Sequence, residues 1–246
     1  MQTQQEQLQG EMTVSVISHR VPRIPPLEPG DHLTRHEFER RYEAMPGVKK
    51  AELIEGVVYM PSPVRFEQYG SPHADLITWL GVYRAATPGV RVGDNSTIRL
   101  DLENEPQPDA MMIVEPALGG QARIDEEGYL VGGPELVVEV AASTVSIARN
   151  TKLRVYRRNS IREYIIWRVD DQAIDWFVLH QGQYEPLQPT SAGLLQSKQF
   201  PGLWLAPDAL LRFDLAGVLQ TVQQGLASPE HTAFVAQFRQ KAAPPS

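Results

Sequence analysis

The chain has 246 residues, 42% hydrophobic and 22% charged, with a formal net charge of −7; that is enough for a sizeable core and excludes a generic polyanion binder, so any nucleic-acid contact must come from a local basic face. Cysteine is absent, which removes disulfides, thiolate metal sites and thiol nucleophiles and suits a reducing compartment. No apolar run approaches the ~20 residues that span a bilayer.

The N-terminal MQTQQEQLQGEM lacks the basic and apolar regions of a signal peptide, so a cytoplasmic location and no membrane partner are expected. Residues 1–33 read as an extended arm, polar at first and then rich in proline (Pro22, Pro25, Pro26, Pro29). The apolar run 14–17 within it is expected to add an edge strand. Thr34, with Glu37 three residues later, predicts a capped helix over about 34–45 that ends before Pro46-Gly47. AELIEGVVYMPSP predicts two short strands around Gly56, closed by Pro61 and Pro63. SPHADLITWLGVYRAA spaces Leu76, Ile77, Leu80 and Tyr83 as a helix, with Ser71 as cap and Pro72 at its first position.

Strands are predicted at about 90–93, 96–102 and 109–114, then a Gly-rich acidic loop over about 115–133. ELVVEVA is apolar apart from its acids, as a central strand covered on both faces should be. A helix over about 144–158 leads to EYIIWRVD, another buried strand, and AIDWFVLHQGQYEPL predicts a hairpin turned at Gln181-Gly182. The core is expected over 34–190 and a helical extension over 191–246. In the extension a leucine-rich helix running through Leu210, Leu211, Phe213, Val218, Leu219 and Val222 precedes a final helix opened by Ser228-Pro229-Glu230. Packing of these helices on the core or on a second subunit is expected, and their apolar surface predicts a homodimer. The order of elements argues α/β or α+β with a mixed sheet.

The chemistry concentrates between Asn104 and Lys152. A carboxylate on each of two apolar strands, then a lysine about one helix later, is a way to assemble a Mg²⁺ site, because hard cations want oxygen ligands and a lysine beside them can orient water. Asp109, after Pro108, also fits a turn-capping acid. Glu139, flanked by Val138 and Val140, needs a metal or an ionic partner if buried. Glu135 is expected to cap the strand or face solvent. Lys152 lies on a helix with Arg149, Arg157 and Arg158; it can lean toward the sheet while the arginines stay outside as a basic ridge for phosphates. His73 opens its helix, either to bind an anion or as an exposed first-turn residue. Glu52 and Glu55 flank Leu53-Ile54, so at most one faces a cleft. There is no Gly-rich phosphate loop, nucleophile elbow or HExxH motif, and His180 and His231 have no partner at metal-ligand spacing.

Together AELIEGVVYMPSP, the helix opening at His73, QPDAMMIV, GPELVVEVAAST, the step from Lys152 to Tyr156 and REYIIWRVD resemble the Uma-type family of restriction-endonuclease-like proteins, within the PD-(D/E)xK nuclease superfamily. FPGLWL and SPEHTAFV resemble that family's C-terminal extension. The resemblance implies a restriction-endonuclease-like mixed sheet flanked by helices, with Asp109 and Glu139 as ligands of Mg²⁺ (or Mn²⁺) and DNA as substrate. Glu52 and His73 would support that site, and Arg149, Arg157 and Arg158 would contact nucleic acid. The superfamily lysine two residues after the glutamate is replaced here by Ala141, and the family's usual helix lysine matches Lys152. Ala142 and Ala148 stand where members often carry a proline and an acid. Two readings follow: a metal-dependent endonuclease, or a catalytically degenerate fold that binds nucleic acid or protein.

Overall fold

The structure is a computed structural model that describes residues 23–60 and 63–242. The expected edge strand at 14–17 and the closing Pro61 lie outside those residues. In chain order the elements are α1 (Arg35–Glu43), β1 (Glu52–Ile54), β2 (Val57–Tyr59), α2 (Ser71–Ala86), β3 (Val90–Asp94), β4 (Ile98–Arg99), β5 (Ala110–Val114), β6 (Arg123–Ile124), β7 (Leu130–Val131) and β8 (Leu136–Ala141). There follow α3 (Leu153–Arg158), β9 (Glu163–Arg168), β10 (Ala173–His180), β11 (Gln183–Pro186), β12 (Leu195–Gln196), β13 (Trp204–Leu205), α4 (Pro207–Leu211), α5 (Leu215–Leu226) and α6 (Pro229–Ala242).

Six strands form a mixed sheet in the order β11-β10-β9-β8-β5-β3. β8 and β9 run parallel and their neighbours antiparallel. A parallel pair needs a crossover, and the helical stretch that carries Lys152 supplies it. Period-two alternation divides β5 and β8 cleanly. Met112, Val114, Leu136, Val138 and Val140 face Leu76, Trp79 and Leu80 of α2. Met111, Ile113, Val137 and Ala141 face Val155 and Tyr156 of α3, with Tyr164 and Ile166 of β9 on the same side. β8 is therefore buried on both faces, as its near-continuous apolar run requires. A smaller core of Leu27, Phe38, Ala51, Leu53 and Val58 seats α1 under the β1–β2 hairpin. Ile54 opposes Val57 there, leaving Glu55 and Gly56 as a two-residue turn with φ of 50° and 74°. Both residues take the left-handed backbone that this tight hairpin demands, which suits Gly56 and strains Glu55 mildly.

Several local expectations are corrected. Thr34 makes no side-chain cap. α2 does not begin on a Ser71 cap; a π-helical turn, Phe66–Gly70, runs straight into it, with Gly70 N–H bonding to the Arg65 carbonyl five residues back. A second π-helical stretch, Ile147–Lys152, leads into α3. The strand expected over 96–102 shrinks to β4, and the expected loop at 115–133 contains β6 and β7, which join β4 in a three-stranded sheet. Asp125 turns that hairpin by accepting the N–H groups of Glu127 and Tyr129, and Arg99 clamps Asp125 at 2.7 Å. The leucine-rich C-terminal helix breaks at Arg212–Asp214 because Asp214 caps α5 through Gly217 N–H at 2.9 Å.

Leu210, Val218, Val222 and Phe238 of the extension join the core against α2, so their apolar surface is used within the subunit. Among the described residues Phe213 is the one large exposed hydrophobic of the extension, and the surface on which the homodimer expectation rested is largely covered. No described helix is long and apolar enough to cross a membrane.

Candidate active site

The site lies where β8 ends and β5 begins. Ala110 pairs with Val138, and one more step of the same antiparallel register sets Asp109 opposite Glu139 on one face. Asp109 Oδ2 accepts the N–H of Val140 at 2.7 Å, which fixes the two strand ends together. Its Oδ1 accepts from the Tyr69 hydroxyl at 2.7 Å and from the Lys50 ammonium at 3.3 Å. Glu139 Oε1 accepts from Lys152 Nζ and from the Tyr156 hydroxyl, both at 2.8 Å. Lys152 also donates to Glu52 Oε1 at 2.9 Å, and Glu52 Oε1 accepts the Gln107 N–H at 2.7 Å. Asp109, Glu139 and Lys152 are all at most 6% exposed.

Two π-helical turns deliver site residues, Tyr69 from one and Lys152 from the other; such widened turns are rare and often mark function. The His73 ring stacks on Tyr69 at 5.2 Å, and its Nε2–H reaches the Asp109 carbonyl at 3.0 Å and Asp94 Oδ1 at 3.1 Å. His73 thus holds the backbone of Asp109 rather than opening an exposed first turn.

The electrostatics follow from burial. Desolvation pushes Glu139 up to about 7; Lys152 pulls the other way, while Asp109 and Glu52 reinforce the rise. Burial alone would lower Lys152, but the Glu139 and Glu52 carboxylates outweigh it and hold the ammonium charged. Burial, then the neighbouring charge of Asp109, raises the Tyr69 hydroxyl; Tyr156 is raised by burial and then by Glu139. Both phenols stay protonated donors.

The expected residues separate in space. Asp109, Glu139, Lys152 and Glu52 converge. Glu55 lies outside, bonded to Arg154 at 2.9 Å. The arginines are outside as expected but are engaged: Arg149 with Asp175 at 3.1 Å, Arg158 with Asp101 at 3.5 Å and Arg157 with Gln183 Oε1 at 2.8 Å. Of the two readings of Glu135 the solvent-facing one fails, because it is 1% exposed; it caps instead, accepting the backbone N–H groups of Val114 and Gln121. Lys50, Tyr69 and Asn95 were missed, and no periodicity in their segments could have marked them.

Among the described residues no three His, Asp or Glu side chains cluster as a ready metal cage. The donor set nevertheless suits a hard cation that keeps waters and shares its shell with substrate phosphate, for which one or two carboxylates suffice. Glu139 Oε2 receives no hydrogen bond among the described residues and is not one of the buried unpartnered atoms, so it is open. Lys50 already places positive charge against Asp109 Oδ1.

The mixed sheet with a carboxylate–lysine cluster at its strand ends defines a restriction-endonuclease-like fold. A family model described as "Uma2: Putative restriction endonuclease" matches residues 36–208, and the chain belongs to that family. A crystal structure from Anabaena variabilis, titled as a putative nuclease belonging to DUF820, is similar at 13% identity with a TM-score of 0.52, covering 71% of this chain and 97% of that one; it supports the fold. No curated protein matches the chain.

Proposed function

We propose that this protein is a metal-dependent nuclease that hydrolyses phosphodiester bonds in DNA. The observation that carries the reading is the facing pair Asp109 and Glu139, with Lys152 bound to Glu139 at 2.8 Å. Asp109 and Glu139 would hold Mg²⁺ (or Mn²⁺), which when bound supplies charge neutralisation at the phosphate and a more acidic water. The chain's own residues prepare that site. Val140 N–H and the Tyr69 hydroxyl fix Asp109 from two sides, and Tyr156 and Lys152 fix Glu139. Lys152 takes the place of the lysine missing at Ala141, approaching from the crossover helix instead of the strand. Glu52 stabilises its charge and keeps the proton on Nζ. Arg149, Arg157 and Arg158 contact the DNA backbone; Arg149 and Arg158 are themselves nearly half-exposed and Arg157 bonds to a neutral amide, so exchange for phosphate costs little.

In this reading residues 34–190 form the catalytic core, residues 191–246 buttress it through α2, and the protein works in the cytoplasm, consistent with its cysteine-free composition. With the extension's apolar faces buried, a homodimer has lost its main argument, and light scattering decides it. One observation favours the degenerate alternative: Lys152 is tied to two carboxylates, and Ala148 supplies no further acid. The test is cleavage of plasmid and single-stranded DNA with Mg²⁺ or Mn²⁺. Cleavage abolished by chelator supports the nuclease; DNA binding without cleavage in either metal makes the protein a binding module.

A further inference from the structure

Two lysines reach the carboxylate cluster, and they are not equivalent. Lys152 is sandwiched between Glu139 and Glu52 with its side chain 7% exposed. Lys50 sits on the loop before β1 with its side chain 21% exposed. Its ammonium touches one carboxylate, Asp109 Oδ1 at 3.3 Å, and one neutral acceptor, Asn95 Oδ1 at 3.2 Å. Asn95 is anchored independently, its carbonyl accepting from Gln107 Nε2 at 2.6 Å, so Lys50 keeps one partner if it leaves Asp109. Lys152 has no comparable retreat.

Charge balance gives this asymmetry a purpose. Asp109, Glu139 and Glu52 bring three carboxylates, and Lys152 cancels one of them. A divalent cation neutralises the remaining two, and Lys50 retained alongside it would leave excess positive charge in a poorly solvated site. Lys50 also occupies the Asp109 oxygen that is not fixed by backbone, since Oδ2 is committed to Val140 N–H. Two cations cannot both lie against that oxygen without strong repulsion.

We propose that Lys50 is a built-in placeholder cation: it holds Asp109 Oδ1 in the metal-free protein and is displaced outward when a divalent metal binds. Lys50 is thus a positioning residue. It keeps Asp109 oriented and its charge compensated until metal arrives, at the cost of weaker metal affinity. The inference rests on the reading of Asp109 as a metal ligand.

The test is Mn²⁺ binding to the full chain, followed by electron paramagnetic resonance at fixed ionic strength and without nucleic acid. Lys50→Gln, which keeps an amide donor for Asn95, and Lys50→Met should each bind Mn²⁺ about tenfold more tightly than the parent, because a competing charge is gone. Lys50→Arg should stay near the parent value, and Asp109→Asn should lose most of the affinity. Unchanged or weaker Mn²⁺ binding in both neutral variants, with loss in Asp109→Asn, overturns the placeholder role alone. No loss in Asp109→Asn overturns the metal reading and the placeholder role with it.

Discussion

The two ends of the parallel β8–β9 pair both bury carboxylates, yet they do opposite things with them. At the entry end Glu135 and Glu163 are filled by fixed neutral donors. Glu135 takes the N–H groups of Val114 and Gln121. Glu163 takes Ser197 Oγ at 2.7 Å, the Trp176 indole N–H at 3.3 Å, and the N–H groups of Lys198 and Gln199. At the exit end one oxygen of Asp109 takes the Val140 N–H, but its other oxygen and Glu139 are held by ammonium and phenol groups, and among the described residues nothing bonds to Glu139 Oε2. Burial alone therefore does not mark a site. Neutral donors, backbone or side-chain, that fill every oxygen make a latch, here one that fastens the start of the extension to β9. Side-chain cations around an open oxygen make a place where another charge can enter, and the strand exits are where sheets of mixed and parallel type usually present their ligands.

The difference can be broken first by activity. Asp109→Asn and Glu139→Gln should each lower DNA cleavage on the order of 10³-fold, while Glu163→Gln should leave turnover within a few-fold of the parent at a temperature where it is folded. Equal losses in all three, measured on one plasmid substrate, would erase the distinction.

Stability should show the reverse order, read from urea unfolding. Glu163→Ala strands several buried donors and should cost about 3 kcal/mol. Glu139→Gln should cost about 1 kcal/mol, because Lys152 retains Glu52. A larger loss in Glu139→Gln than in Glu163→Ala would make the exit end the structural one.

A third kind of buried acid sharpens the contrast through pH. Burial, then the neighbouring Glu39 carboxylate, pushes Glu105 up to about 8. The folded chain then keeps a proton that the unfolded chain releases near its ordinary value of 4.5. Stability from this group is full below that value and falls as pH rises toward 8. Thermal melts should therefore drop by a few degrees between the two limits, and Glu105→Gln should flatten that slope; an unchanged slope would remove Glu105 as its source.

The smallest effects belong to the outer arginines. Arg149→Ala and Arg158→Ala break pairs whose arginines are nearly half-exposed, worth about 1 kcal/mol or less. They should weaken DNA binding with a shallower salt dependence and leave saturated turnover intact. A steep fall in turnover at saturating DNA would move them into the site.

What was legible in the chain follows the range of the interactions. ELVVEVA announced a strand buried twice over, and its one interior acid, Glu139, stood out because the neighbours are apolar. Lys152 could be paired with it because it lies on the helical stretch directly after β8, and Asp109 because it opens the preceding long apolar strand, β5. Lys50, Tyr69 and Asn95 approach Asp109 from turns 59, 40 and 14 residues away in sequence, in segments whose polar, aperiodic texture carries no face. For Glu135 the choice between capping and facing solvent stayed open, because its partners are backbone N–H groups, which every residue but proline possesses and no sequence pattern displays. The arginine ridge was visible, but not the acids that Asp101 and Asp175 bring to it from distant strands and turns.

The central claim, that Asp109 and Glu139 share one divalent cation, is tested most directly by a crystal soaked in Mn²⁺ and measured for anomalous scattering. The expected result is a single strong peak between the two carboxylates, about 2.1 Å from an oxygen of each, with Lys50 moved off Asp109 Oδ1. Strong Mn²⁺ peaks elsewhere, with Lys50 still on Asp109 and Glu139 Oε2 still open, would contradict it.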